Sequence, residues 1–198
     1  MTSGWKQSGR TAVTPSDVLD FWFDLDHRTF WFKSTDAFDG EIKRRFAPTA
    51  QLLADPVAVT GINWRADPRS HLAEIIVLDQ FPRNMYRGTP EAFAWDPLAL
   101  AVANVIVEQG RDMALSDPDE RKFAYMPFMH SEALTDQNRC VELAGSRLDD
   151  EGSTLRHAIA HRDVIERFGR FPHRNAVLGR KSTPEEVAFL KGGGYNPS

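Results

Sequence analysis

The sequence predicts an all-α protein, a single domain of about eight or nine helices packed as antiparallel hairpins. Three observations predict it. Apolar residues recur at helical spacing, and no stretch alternates as a strand would. Seven of the 12 prolines directly follow Thr or Asp, and six of those pairs (all but Asp55-Pro56) carry the signature of a helix N-cap with proline in the first turn. The connections between periodic segments are short, which favours antiparallel neighbours.

The elements follow in order from those signals. Thr14-Pro15 opens a helix over 15–24. Phe38, Ile42 and Phe46 lie four apart and predict a helix over 35–46, followed by another over 47–54. Asp67-Pro68 starts 68–80, with Leu72, Ile75 and Ile76 on one face. Thr89-Pro90 and Asp96-Pro97 start a helix over 90–109, broken near Asp96 and stopped at Gly110. Asp117-Pro118 starts 118–130, which Pro127 is expected to interrupt. Helices over 132–148 and 154–168 follow, and Thr183-Pro-Glu-Glu opens 183–191 with a capping box. Residues 1–13 and 192–198 are expected to be flexible ends around one domain, 14–191.

Composition narrows the function classes. With 41% hydrophobic residues, 13 Phe and 5 Trp, the chain is no candidate for disorder. A net charge of −4 argues against a nucleic-acid or membrane-surface binder. The single cysteine, Cys140, permits no intrachain disulfide, reads as a small core residue and fits the cytoplasm. The N-terminus has no apolar signal-peptide region, and Ala92 to Val107 is too short and polar to span a bilayer. The aromatics from Phe21 to Phe23 and Phe30 to Phe32 read as core.

Two stretches stand out. "LDQFPRNMYRG" (78–88) and "GRFPHRNAVLGR" (169–180) carry the same Phe-Pro-Arg-Asn idea ninety positions apart, Phe81 against Phe171. The stripe through Leu72, Ile75 and Ile76 continues to Asp79, so the helix period aims a carboxylate inward near the negative end of its helix, where it needs a cation. Each Phe-Pro step is expected to pin an anchor ring at the end of a helix and to project Arg83/Asn84 and His173/Arg174/Asn175 in fixed directions. In 154–168, His157 and His161 share a face with Val164, Ile165 and Phe168. His130 and Glu132 flank the expected break at Pro127, among Met126, Phe128 and Met129.

These residues define a candidate pocket for a small anionic ligand, a phosphate or a carboxylate. Gln80, Arg83, Asn84, Arg87, Arg162, Arg170, His173, Arg174 and Asn175 are the candidate ligand-binding groups. His130 with Glu132, or His161 with Asp79, would be a base and its orienting carboxylate and would move protons if chemistry occurs. No nucleophile elbow, phosphate loop or dinucleotide fingerprint is present, and no cofactor is expected. The His157–His161 spacing would need a third ligand such as His130, Glu132 or Asp79 to hold zinc; with no Cys pair or His-Glu-x-x-His, no metal is expected. Two readings compete with the ligand site. The arginines can be neutralised internally, by Asp79, Asp163 and Glu166, in a structural ion network; or the chain can be an interaction module holding a protein or peptide partner in a groove.

The segments "VLDFWF", "LDQFPRNMYRGTPEAFAWDPLALA", "FAYMPFMHSEALTDQ", "HRDVIERFGRFPHRNAVLGR" and "STPEEVAFL" resemble the bacterial domain-of-unknown-function 924 family over most of the chain. The resemblance implies a tetratricopeptide-like helical fold and no particular activity. The matching positions are Asp79, Gln80, Arg83, Asn84, Arg87, His130, Glu132, His161, Arg162, Arg167, Arg170, His173, Arg174 and Asn175; the pattern does not require His157.

Overall fold

The computed structural model describes residues 13–58, 64–149 and 151–195. The expectations for residues 1–12 and 196–198 lie outside them. The described chain is all-α, built from α1 (Pro15–Trp22), α2 (Asp36–Ala54), α3 (Pro68–Ile75), α4 (Phe81–Met85), α5 (Asp96–Glu108), α6 (Pro118–His130), α7 (Leu134–Arg147), α8 (Ser153–Phe168) and α9 (Pro184–Lys191). No strand occurs among the described residues. Sequence neighbours pack on one another: α5 on α6, α6 on α7, α7 on α8, with α2 against α4 and α3 against α5.

Four of those six residues cap as expected. Thr14 and Thr183 form full capping boxes with Asp17 and Glu186, and Asp67 and Asp117 each accept from the first turn of their helices. Two do not. Thr89 turns its hydroxyl to the carbonyl of Tyr86. Asp96 lies inside the first turn of α5, after Trp95, and its carboxylate is drawn to arginines instead.

Three expected interruptions are absent. The helices expected at 35–46 and 47–54 are one helix, α2, with Pro48 inside it. Pro48 and Arg44, whose carbonyl loses its partner, are both exposed, so solvent can satisfy the freed acceptor. α6 likewise runs through Pro127 to His130. Every residue from Phe123 to Met129 is buried, and packing on that scale outweighs the roughly 3 kcal/mol that an interior proline costs. The third concerns the first Phe-Pro step. The helix begun in α3 does not end there but passes through a π-helical segment, Ile76–Gln80, directly into α4. An α-helical turn would drive the Pro82 ring into the carbonyl of Leu78; the wider π turn, in which the Phe81 N–H reaches the carbonyl of Ile76, relieves that clash. The second Phe-Pro step does follow a helix end: Gly169, at φ 67°, closes α8, and a 3₁₀ turn spans Pro172–Arg174.

Both anchor rings are fully buried, Phe81 against Phe46 (4.7 Å between centroids) and Trp22 (5.7 Å) in the main core, Phe171 in a smaller cluster with Val164 and Ile165. Burying one such ring contributes roughly 1.5–3 kcal/mol. Cys140 is a buried core residue whose thiol desolvation pushes up to about 12. The run Pro90–Glu108 is long and apolar enough to cross a membrane by length and composition; it is kinked between a 3₁₀ turn and α5, and α5 packs on α3 and α6.

Candidate functional site

The π segment places Asp79 and Gln80 side by side in the interior, with Asp79 fully buried. Asp79 meets His130, from the last turn of α6, at 2.8 Å between Oδ1 and Nδ1. A carboxylate accepts, so Nδ1 carries the hydrogen and Nε2 keeps a lone pair. Burial alone would raise the proton affinity of Asp79; Arg83, His130 and the side-chain amide of Gln80 outweigh it and bring the carboxyl down to about 2. For His130, burial and Arg83 outweigh Asp79 and lower its proton affinity, which favours the neutral imidazole. A neutral imidazole oriented by a buried carboxylate is the arrangement of a general base.

The pairing is therefore crossed relative to the sequence expectation. Glu132 does not orient His130. It lies beyond α6 and takes a two-pronged contact from Arg180 (2.7 and 3.0 Å) and the N–H of Phe171 (2.7 Å). His161 does not meet Asp79. Its Nδ1 lies 2.8 Å from the carbonyl of His157, and burial holds it neutral, with proton affinity pushed down to about 3.

The two Phe-Pro-Arg-Asn copies do meet. Arg83 donates to both oxygens of Asp96 (3.0 and 3.1 Å), and Arg174 reaches the same carboxylate at 3.4 Å. Both guanidiniums lie over Phe93, at 5.7 and 4.7 Å. Arg174 is also 4.7 Å from the Phe171 ring and only 7% exposed; desolvation and then Arg83 disfavour its charge. His173 lines the same space, its proton affinity lowered to about 4 by burial and Arg174.

The other candidates disperse. Arg87 and Asn84 bind Asp39 at the rim of the space, with Asn84 also on Ser34. Arg170 forks onto buried Glu186, and Asn175 binds Glu186 and Ser182, so both belong to the scaffold under α9. Arg162 pairs with its neighbour Asp163 on the exposed side of α8. The neutralising acids are thus Asp39, Asp79, Asp96, Glu132 and Glu186, rather than Asp163 and Glu166, apart from the Arg162 pair.

Between these elements lies a cleft of about 780 Å³. Lys33, Arg83, Arg87, Lys122 and Arg174 line it together with His130, His157, His161 and His173; no Asp or Glu does among the described residues. Four of the cations are paired with carboxylates outside that lining: Arg83 and Arg174 with Asp96, Arg87 with Asp39 and Lys122 with Asp119. A smaller recess of about 370 Å³ shares Phe93, His130 and Arg174 with it and touches Glu132. Among the described residues no three His, Cys, Asp or Glu side chains converge as a metal site.

Sequence reasoning missed several residues of the site. Asp96 read as a helix cap. Phe93 carried no polar signal. Trp31 packs against the core, as read, and lines the cleft as well; Phe32 also read as core, yet it lines the cleft and is 63% exposed. Tyr195 lay in the expected tail, but its hydroxyl is 2.7 Å from His157 and its ring 5.0 Å from that of His161. The "GGG" before it was the available signal: Gly194 has the Phe189 ring 2.5 Å from where a Cβ would be.

Fold and site together define a class, an all-helical protein with a cation-walled cleft around a buried Asp–His pair. The chain belongs to a family of bacterial proteins of unknown function, DUF924, whose model matches residues 18–194. It is similar to a protein of unknown function from Agrobacterium tumefaciens of solved structure, at 39% identity over 90% of this chain and 97% of that one, with a TM-score of 0.80. Comparison with curated proteins gives no match.

Proposed function

We propose that the cleft binds a small organic anion, a phosphate or carboxylate, with Arg174 and Arg83 as its principal cations and the Asp79–His130 pair beside it as the group that moves a proton. The observation that carries this reading is the wall itself. In a chain of net charge −4, five cationic residues and four histidines face one cleft that no carboxylate lines among the described residues. Guanidinium groups held by carboxylates outside the lining are pre-oriented for forked bonds to an anion in the cleft. The volume falls in the range of small-molecule sites. Neutral His130, with its Nε2 lone pair, supplies the base for a reaction that removes a proton from the bound molecule or from water.

A thermal-shift screen of phosphate- and carboxylate-bearing metabolites tests it. Binders are expected, and Arg174→Gln should weaken them about 10- to 100-fold by removing a charge-assisted contact. Arg170→Gln, which strips buried Glu186 of its partner, should lower the melting temperature and leave affinity alone.

A second reading is favoured by the bidentate ion pairs of Arg83 and Arg170 and by the Asp39 contact of Arg87. The cluster would then be a structural network within a helical-repeat-like interaction module. On that reading Arg83→Ala and Arg174→Ala both lower the melting temperature strongly, and no small anion raises it.

A further inference from the structure

Among the described residues, two buried side-chain atoms without a hydrogen-bond partner belong to residues lining the cleft. One is Nε of Arg174, a donor. The other is Nε2 of His161. The character of the second is forced by its other nitrogen. Nδ1 faces the carbonyl of His157, and a carbonyl can only accept, so Nδ1 carries the hydrogen and neutral Nε2 is left as an acceptor. Buried polar atoms in native proteins are nearly always satisfied, and of the seven side-chain atoms that lack a partner among the described residues these two belong to one cleft, where a bound molecule can complete them. Both residues neighbour the ring of Phe171, which is 4.7 Å from the Arg174 guanidinium and 5.7 Å from the His161 imidazole, so the two groups lie within reach of one small molecule.

We propose that the ligand of this cleft is an organic anion that also carries a hydroxyl group, its anionic oxygens on Arg174 and its hydroxyl donating to Nε2 of His161. The inference rests on the anion-site reading and narrows it: a hydroxy acid or a sugar-phosphate-like molecule satisfies both orphans, whereas a plain carboxylate or alkyl phosphate satisfies one. Tyr195 is the wall that yields to it. Its partly exposed ring is the nearest to His161, at 5.0 Å, and it is carried on the turn formed by Gly192, Gly193 and Gly194. On entry, the hydroxyl takes the place of that ring against the imidazole.

The test is calorimetric titration of matched pairs: glycerol 3-phosphate against propyl phosphate, and lactate against propionate. In at least one pair the hydroxylated member should bind at least about tenfold more tightly, because its analogue leaves the buried imidazole nitrogen unpaired. The pair that shows the preference tells phosphate from carboxylate. His161→Phe should abolish the preference while keeping the anion affinity, and His161→Gln, whose amide oxygen accepts, should restore part of it. Should His161→Phe fail to fold, the nitrogen-15 resonance of His161 Nε2 in the unmodified protein decides: it should move on binding the hydroxylated member and stay on binding its partner. Equal affinities within both pairs, a preference that survives His161→Phe, or an unmoved resonance overturns the proposal and leaves the anion site standing. Absence of binding by all four molecules and by the metabolite screen overturns both.

Discussion

Asp79 is the residue on which the candidate chemistry turns. It is buried without a water-facing atom, yet it stays ionised because Arg83 and His130 converge on it. Its proton affinity in the folded chain, near 2, is below the ordinary value of 3.8. The stability it contributes is therefore present above pH 3.8 and is lost as pH falls through about 2. Asp79→Asn keeps the shape and removes the charge. That substitution should remove this part of the acid limb of unfolding. It should also lower the pH at which His130 titrates, because the carboxylate that favours the imidazolium has gone. Proton NMR titration of the His130 ring checks the second point; an unchanged or raised midpoint would contradict the assigned pairing. Asp96 carries a related lesson. Its position beside Pro97 suits a helix cap, but two arginines outbid a few backbone N–H groups, and a local rule gives way where the site is built.

At the scale of elements, the π segment is the device that matters. One extra residue in a turn rotates everything after it, so Ile76–Gln80 decides that Gln80 joins Asp79 in the interior and that Arg83 points across to Asp96. Pro82 is its cause. Pro82→Ala restores an N–H and removes the ring, and the helix can then tighten to the α period. The expected outcome is a stability change within about 1 kcal/mol, since the gained hydrogen bond offsets the lost packing, together with weakened anion binding and a shifted His130 titration. Retention of both would show that packing of Phe81, rather than the proline, sets the register.

At the scale of the molecule, the cleft concentrates groups that resist protonation. His161 and His173 are held neutral down to about 3 and 4, and His130 is shifted the same way, against an ordinary 6.5. Below pH 6.5 the unfolded chain takes up protons that the folded one refuses. The stability these histidines contribute is thus complete above pH 6.5 and declines as pH falls toward 4, by up to about 1.4 kcal/mol per pH unit for each. Urea midpoints measured at pH 7.5, 6 and 5 should fall steadily, and a double variant His161→Gln, His173→Gln should flatten the decline. A midpoint constant across that range would mean the imidazoles are solvated.

What the sequence determined by itself is the part of the structure that depends on neighbours along the chain. The helix starts at Thr14, Asp67, Asp117 and Thr183, the inward aim of Asp79 and the anchoring of Phe81 and Phe171 follow from capping chemistry and period, interactions that span four residues or fewer. Those same local rules misjudged three prolines: solvent takes up the acceptor that Pro48 frees, a π turn makes room for Pro82, and long-range packing outweighs the cost of Pro127. Only the tertiary structure decided which acid met which base. His130 took Asp79 instead of Glu132, Arg83 and Arg174 converged on Asp96, Arg170 turned away to Glu186, and Tyr195 came back over His161. Electrostatic partners are chosen by distance in space, and a sequence orders residues without measuring it.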